Sequence, residues 1–473
     1  MPITISKIFI RSNLSQISPN QTVLMASSSI IQFLLFSFLV SLPLSIAQAS
    51  SKPKALILPV NKDATTLQYV THLNIGTPLA KKDFVVDLGG AHLWMDCDDG
   101  SYVSSTFRQS LCGSAPCSVA KATCTGGCVP GHHKSGCSNE TCYVLSTNTI
   151  QGRLEVGVVS RDIIALQSTD GAKSGSLVSI PDYIFACANA WDLKSLASGA
   201  KGMLGLGREQ IALPKQLSSS FGGSFRRKFA ICLPSDSKSN GVMFFGDSPY
   251  VFYPSYNTSK AIDVSSRFKH TKLYINTVFT GSSTVIRGPP SPEYFVRVTS
   301  ILVNRKPIPI NRAFLEFHAN GTGGTKISTV EPYIQLESTI YKAVVEAFDE
   351  EISVWNVSKV APVAPFKDCY SLGNMGITGL GISVPDIAFE FENNKNLNWG
   401  MYGANTMVEV SRDVVCLAFL DRGEMPLITT PIVIGAHQLQ DNLLQFDLHS
   451  NRLAFTETLL WEEVECSNFK FDL

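Results

Sequence analysis

Apolar positions along this chain fall mostly into short runs of β type, broken by Gly, Pro, Ser and Asn. Tyr69–Ile75, Phe84–Asp87, Phe229–Leu233, Val242–Gly246 and Phe295–Val303 read this way. Helical spacing is clear only at Ile340, Val344, Ala347 and Phe348, a segment that Glu350 and Glu351 are expected to close, and a shorter helix is expected over Pro214–Ser219. The pattern predicts a mainly β protein.

The composition sharpens this. The 473 residues are 44% hydrophobic and 16% charged, with 39 basic and 39 acidic side chains. That is a globular composition, without the basic stretch a nucleic-acid partner would call for. Ile30–Leu44 is an almost unbroken apolar run, followed by Ala47-Gln48-Ala49. This is the pattern of a cleaved secretory signal over residues 25–49, with translation starting at Met25. Its removal takes Lys7 and Arg11 and no acid, so the mature chain stays near neutral, with no membrane attachment expected after cleavage. All 12 cysteines follow the signal: Cys97, Cys112, Cys117, Cys124, Cys128, Cys137, Cys142, Cys187, Cys232, Cys369, Cys416 and Cys466. An even number in an exported chain implies disulfides. Glycosylation sequons follow at Asn139, Asn257, Asn320 and Asn356.

Cys112–Cys142 is dense in cysteine and glycine and too poor in apolar residues to build its own core, so cross-links must hold it. Cys124, Cys128, His132, His133 and Cys137 have a spacing that could suggest zinc, but export favours disulfides, and no metal is expected. The Pro249–Arg267 segment, rich in Tyr, Ser, Pro and Asn, marks a boundary between lobes at 50–262 and 263–473.

The candidate chemistry sits at two turns. Phe84-Val85-Val86-Asp87-Leu88-Gly89-Gly90 delivers an aspartate into a small-residue turn, and Lys201–Gly207 later supplies two apolar residues before a glycine. The second half repeats the order with Gly323–Tyr333 and Pro431–Ala436, a weak internal duplication. The glycine run at 202–207 lacks dinucleotide spacing and no Gly-x-Ser-x-Gly occurs, so neither a cofactor nor a serine nucleophile is expected.

With these motifs in this order, from Tyr69 to Phe455, the chain resembles the pepsin-like aspartic peptidases. The resemblance implies a bilobal, mainly β fold with an aspartate in each turn. Asp87 holds the first position, but Ser328 stands at the second, and a hydroxyl cannot share the proton that splits two carboxylates into acid and base. Val330 replaces a glycine, Leu88 replaces a hydroxyl residue, and the flap stretch Ser146–Gly152 has no tyrosine at its tip. Asp87 and Ser328 are therefore expected to be remnants of a lost dyad, with no catalytic residue left.

The cysteine-dense insertion, the Ser328–Tyr333 replacement and Val433–Asn442 narrow the resemblance to the plant basic 7S globulins, extracellular dermal glycoproteins and xylanase or xyloglucanase inhibitors. That group implies secretion to the apoplast or cell wall and binding of microbial glycoside hydrolases in plant defence. In some members it implies storage or peptide-hormone binding; an active endopeptidase with an atypical dyad is the remaining alternative. The resemblance implies that loops of the C-terminal lobe put a basic side chain into the acidic cleft of the glycosidase, between its two carboxylates. Lys359 in the Asn356–Phe366 loop and Arg422 in Asp421–Pro431 are the candidates. Connectivity is not fixed by sequence; the expected pairs are Cys369–Cys416 and Cys232–Cys466, with Cys187 receiving a partner from the Cys97–Cys142 cluster.

Overall fold

Two parallel strand contacts, one in each half of the chain, set the frame of the computed structural model. Ala80–Asp87 lies parallel to Gly202–Gly205, with Asp87 opposite Gly205. Thr325–Ile327 lies parallel to Ile432–Ile434, with Ile327 opposite Ile434. The duplication in the sequence is thus a duplication in register. Its glycines are set by close approach. A Cβ on Gly205 would sit 2.5 Å from the His92 carbonyl oxygen, and one on Gly435 2.3 Å from the Tyr333 carbonyl carbon.

The structure describes residues 53–471, apart from 99, 101, 125–139, 189, 282–285, 288–289, 393–396 and 426–428. The signal segment, Asn139, Cys128, Cys137 and the two loop histidines lie outside the described residues.

One large sheet dominates the first half. Its core runs through Gly241–Gly246, Ala55–Lys62, Tyr69–Ile75, Ala80–Asp87 and Gly202–Gly205. A long hairpin, Arg153–Thr169 with Ser174–Ala188, belongs to the same sheet. The second half carries a five-stranded sheet around Thr325–Ile327 and two four-stranded sheets. The fold is therefore mainly β and bilobal, as in the pepsin-like proteins. The large sheet also takes strands from the chain's end: Leu443–Asp447 pairs with Lys228–Cys232, and Arg452–Phe455 pairs outside it. Phe446 stacks on Phe229, with ring centroids 4.9 Å apart, and lies 4.7 Å from Tyr294, so both halves share one core.

Three expectations are corrected locally. The helix spans Ser338–Ser353 and passes through Glu350 and Glu351 instead of closing there, because Ile352 continues its buried stripe. Glu337 starts it, its carboxylate accepting from the Thr339 and Ile340 amides at 2.8 and 3.2 Å. The shorter helix extends over Leu213–Phe221. Phe295–Val303 is not one strand: Tyr294–Val296 pairs with Thr325–Ile327, and Val298–Val303 pairs with Ile387–Phe391.

Five disulfides lie among the described residues: Cys97–Cys187, Cys112–Cys124, Cys117–Cys142, Cys232–Cys466 and Cys369–Cys416. The pairs expected for Cys187, Cys232 and Cys369 form. Cys124, the first sulfur of the zinc-like spacing, is held by Cys112.

Candidate functional site

The apolar strand Ala80–Asp87 carries Asp87 into the interior, where it is 3% exposed. Its turn folds back because Gly90 has no side chain; a Cβ there would meet Asp87 Oδ2 and the Gly205 Cα, each at 2.9 Å. The Gly89 amide donates to Asp87 Oδ1 at 3.0 Å. Burial pushes the Asp87 carboxyl up to about 6, against the hydrogen bond from Thr149; Glu293 adds to the rise, and Gly89 and Lys326 oppose it.

The second turn comes within hydrogen-bonding reach of the first. Thr329 Oγ1 donates to the Val86 carbonyl at 2.8 Å and accepts from the Leu88 amide at 2.9 Å. Leu88 is buried in the core and has no hydroxyl to return this grip. Ser328, 5% exposed, turns its hydroxyl onto its own loop, accepting from the Val330 and Glu331 amides at 3.3 Å each. The structure thus places both remnant positions at one cleft, but only Asp87 brings a carboxylate.

The flap is a hairpin, Tyr143–Asn148 paired with Arg153–Val158 and closed by residues 149–152. Thr149 at its tip donates to Asp87 Oδ2 at 2.7 Å. Trp94 Nε1 holds the flap strand through the Thr147 carbonyl at 3.0 Å, and His92 Nε2 meets Ser146 Oγ at 2.9 Å. The cavity beneath measures about 250 Å³ and is walled by Asp87, Thr149, Glu293, Lys326, Ser328 and Glu331 among others.

Sequence reasoning missed the pair that rebuilds the second half of this cleft. Lys326 Nζ donates to Glu293 Oε1 at 3.0 Å, and the two side chains are 8% and 4% exposed. Thr280 donates to Glu293 through its amide and its hydroxyl, each at 2.8 Å, and Ser291 Oγ donates at 2.8 Å. Glu293 also packs on the Asp87 turn, since a Cβ on Gly89 would lie 2.9 Å from its Cγ. A lysine two residues before Ser328 was the available signal. Its acidic partner lies 33 residues upstream and no local spacing connects them.

The proposed contact cations are elsewhere. Lys359 lies between Asp349 Oδ2 and Asp368 Oδ1, 2.7 Å from each. Arg422 is half-buried; its Nη1 reaches the Thr430 carbonyl at 3.4 Å and its charge faces Glu331 and Glu293. The structure does not bring these two cations together with Asp87. Asn257, Asn320 and Asn356 are all exposed. Among the described residues, no cluster of His, Cys, Asp and Glu could hold a metal ion.

Family models described as xylanase inhibitor N-terminal and xylanase inhibitor C-terminal match residues 69–247 and 293–457. The chain is 45% identical over 449 residues to a probable aspartic proteinase GIP2 of Nicotiana benthamiana, covering 94% of this chain and 99% of that protein. It is 31% identical to the basic 7S globulin of Glycine max, covering 90% of this chain and 94% of the globulin. Among solved structures, edgp superposes with a TM-score of 0.84 at 45% identity, covering 90% of this chain and all of edgp. Soybean basic 7S globulin does so with 0.72 at 29% identity, covering 88% and 98%. Read with a pepsin-like frame whose second aspartate is Ser328, these matches are decisive: the chain belongs to the basic 7S globulin and xylanase inhibitor family of pepsin-shaped proteins.

Proposed function

We propose that this protein is exported, does not hydrolyse peptides, and binds microbial glycoside hydrolases. The observation that carries the loss of hydrolysis is that the second turn offers Asp87 a serine and no carboxylate. Asp87 faces a serine that bonds its own backbone, and the flap hydroxyl occupies Oδ2, where a water would need to be activated. The binding role is supported by the xylanase-inhibitor family models over both halves. The mature protein is expected to form a complex with, and inhibit, at least one enzyme in a panel of secreted fungal xylanases and xyloglucanases. No complex and no inhibition across the panel would exclude that role.

In this reading the contact comes from the 356–366 and 421–431 loops. Lys359 would exchange Asp349 and Asp368 for the carboxylates of the enzyme, like for like. Arg422 is half-buried and faces Glu331 and Glu293, so a partner would have to draw it away from them.

A peptidase reading, in line with the name of the Nicotiana relative, is favoured by the survival of Asp87 and the nearness of Glu293. Ser328→Asp separates the two. Because Lys326 and Thr149 already engage the carboxylates, the variant is expected to leave acid-pH proteolysis at background. Acid-pH proteolysis by the unaltered protein that disappears in Asp87→Asn would restore the peptidase reading.

A further inference from the structure

A second cavity shares no wall residue with the Asp87 cleft. It measures about 320 Å³, at the small end of the range for small-molecule sites. Both halves of the chain build it. Leu67 and Tyr69 come from the first half, and Pro332, Tyr333, Met407 and Val408 from the second. These walls are apolar or aromatic, and most polar groups on them are already engaged. The Tyr69 hydroxyl donates to the Pro234 carbonyl at 3.1 Å and accepts from Gln440 Nε2 at 2.8 Å. His437 Nε2 donates to the Met407 carbonyl at 3.1 Å, and its ring lies edge-on to Tyr333 with centroids 5.7 Å apart.

Lys62 is the exception. An ammonium has three donors, and this one makes a single hydrogen bond, to the Ser235 carbonyl at 3.3 Å. Among the described residues it has no ion-pair partner. Lys62 and Ser235 both line the cavity. The charge is felt inside it: burial first, and then Lys62, push the His437 imidazole down to about 4. Burial holds the ammonium itself below its ordinary range, against the pull of Asp441 and Asp236. Both acids are held by other groups. Asp441 Oδ1 accepts from the Cys466 amide at 2.9 Å, and Asp236 accepts from the Lys238 amide at 3.0 Å and the Ser239 hydroxyl at 2.9 Å. Glu409, the remaining acid of the wall, is exposed. A lysine that merely snorkels would carry its ammonium out to water, whereas the Ser235 bond and the effect on His437 keep this one at the wall.

We propose that this cavity binds a small aromatic monocarboxylic acid, its carboxylate taken by Lys62 and its ring held by Tyr69, Tyr333 and Met407. A partly desolvated ammonium with unused donors gains more from an anion than one in open water does. No arginine lines the wall, so the site lacks the planar fork that selects phosphate, and Asp441, Asp236 and Glu409 disfavour a doubly charged ligand. Tyrosine and thioether walls favour a ring over an alkyl chain, and the volume limits the body to a small one.

The test is calorimetric titration of the mature protein with 3-phenylpropionate. Two controls accompany it: 3-phenyl-1-propanol keeps the body without the charge, and acetate keeps the head alone. The acid is expected to bind with a Kd of about 1 mM or below, and at least about ten-fold more tightly than either control. Because it binds only the folded chain, it should also raise the melting temperature. Lys62→Met should lose the preference for acid over alcohol, and Val408→Trp, which fills the cavity, should lose both ligands. The comparison of acid with alcohol is made on the parent, so it decides even where a variant does not fold. None of these readouts depends on whether the protein inhibits a hydrolase. No binding of the acid, equal binding of the alcohol or acetate, an unchanged preference in Lys62→Met, or tighter binding of 3-phenylpropylamine, whose charge would suit the neighbouring acids instead, would overturn the assignment.

Discussion

Replacing Lys326 by methionine should cost the fold about 3–5 kcal/mol, because it leaves the Glu293 carboxylate buried without its counter-ion. Glu293 would keep its donors from Thr280 and Ser291, so the loss is specifically that of the charge partner. Asp87 should feel the change as well. Lys326 holds its carboxyl down and Glu293 pushes it up, so removing the ammonium moves it further upward. Urea unfolding would show the midpoint falling with an unchanged m-value. The double replacement Lys326→Met with Glu293→Leu should recover much of the loss, as buried pairs exchanged whole for apolar residues often do. Equal destabilisation in the single and double variants would show that the pair acts through packing.

The pH profile should be shallow for the parent and steep for a variant. Burial raises Asp87 and Asp441 to about 6. The folded protein therefore holds protons that the unfolded chain has released, and their contribution falls as pH climbs from about 4 to 6. Burial pushes His92 and His437 down to about 4. The unfolded chain takes up protons below about 6.5 that these native histidines refuse, so their contribution falls as pH drops through the same interval. A shift of about two units is worth about 3 kcal/mol per group, and two of each kind nearly offset one another. Asp63, Asp170, Asp421 and Asp447 are held below the ordinary range, and their losses fall at more acid pH. Asp87→Asn with Asp441→Asn removes one side of the balance. Its stability should drop by about 5 kcal/mol or more between pH 6.5 and pH 4, since His72 and His270 are also held low by burial, while the parent falls by several kcal/mol less. Parallel profiles would show that the histidines do not oppose the acids.

The first catalytic-type turn was legible because everything needed is contiguous: an apolar strand, an aspartate and two glycines. The second was legible only by comparison with the first. Ser328 carries no signal of its own, and its meaning comes from the Ile432–Ile434 strand that threads past it. Thr149 was visible as the absence of a tyrosine but not as a ligand of Asp87, since nothing local fixes how far a flap closes. Lys326 with Glu293 was hidden for the opposite reason, as each residue looks like surface charge until the fold buries both. The break in Phe295–Val303 falls at Arg297, where the strand changes sheet and the guanidinium pairs with Glu316 and Glu392. An apolar run shows burial on both faces but not which sheet it joins.

The strand Leu443–Asp447 and the Cys232–Cys466 bridge bind the end of the chain to its first half. During synthesis this makes a segment translated 234 residues after Cys232 a structural requirement of an earlier-made sheet. Until it arrives, Lys228–Cys232 presents an unpaired edge with Phe229 and Ile231 uncovered. The first half is until then an open template for strand addition.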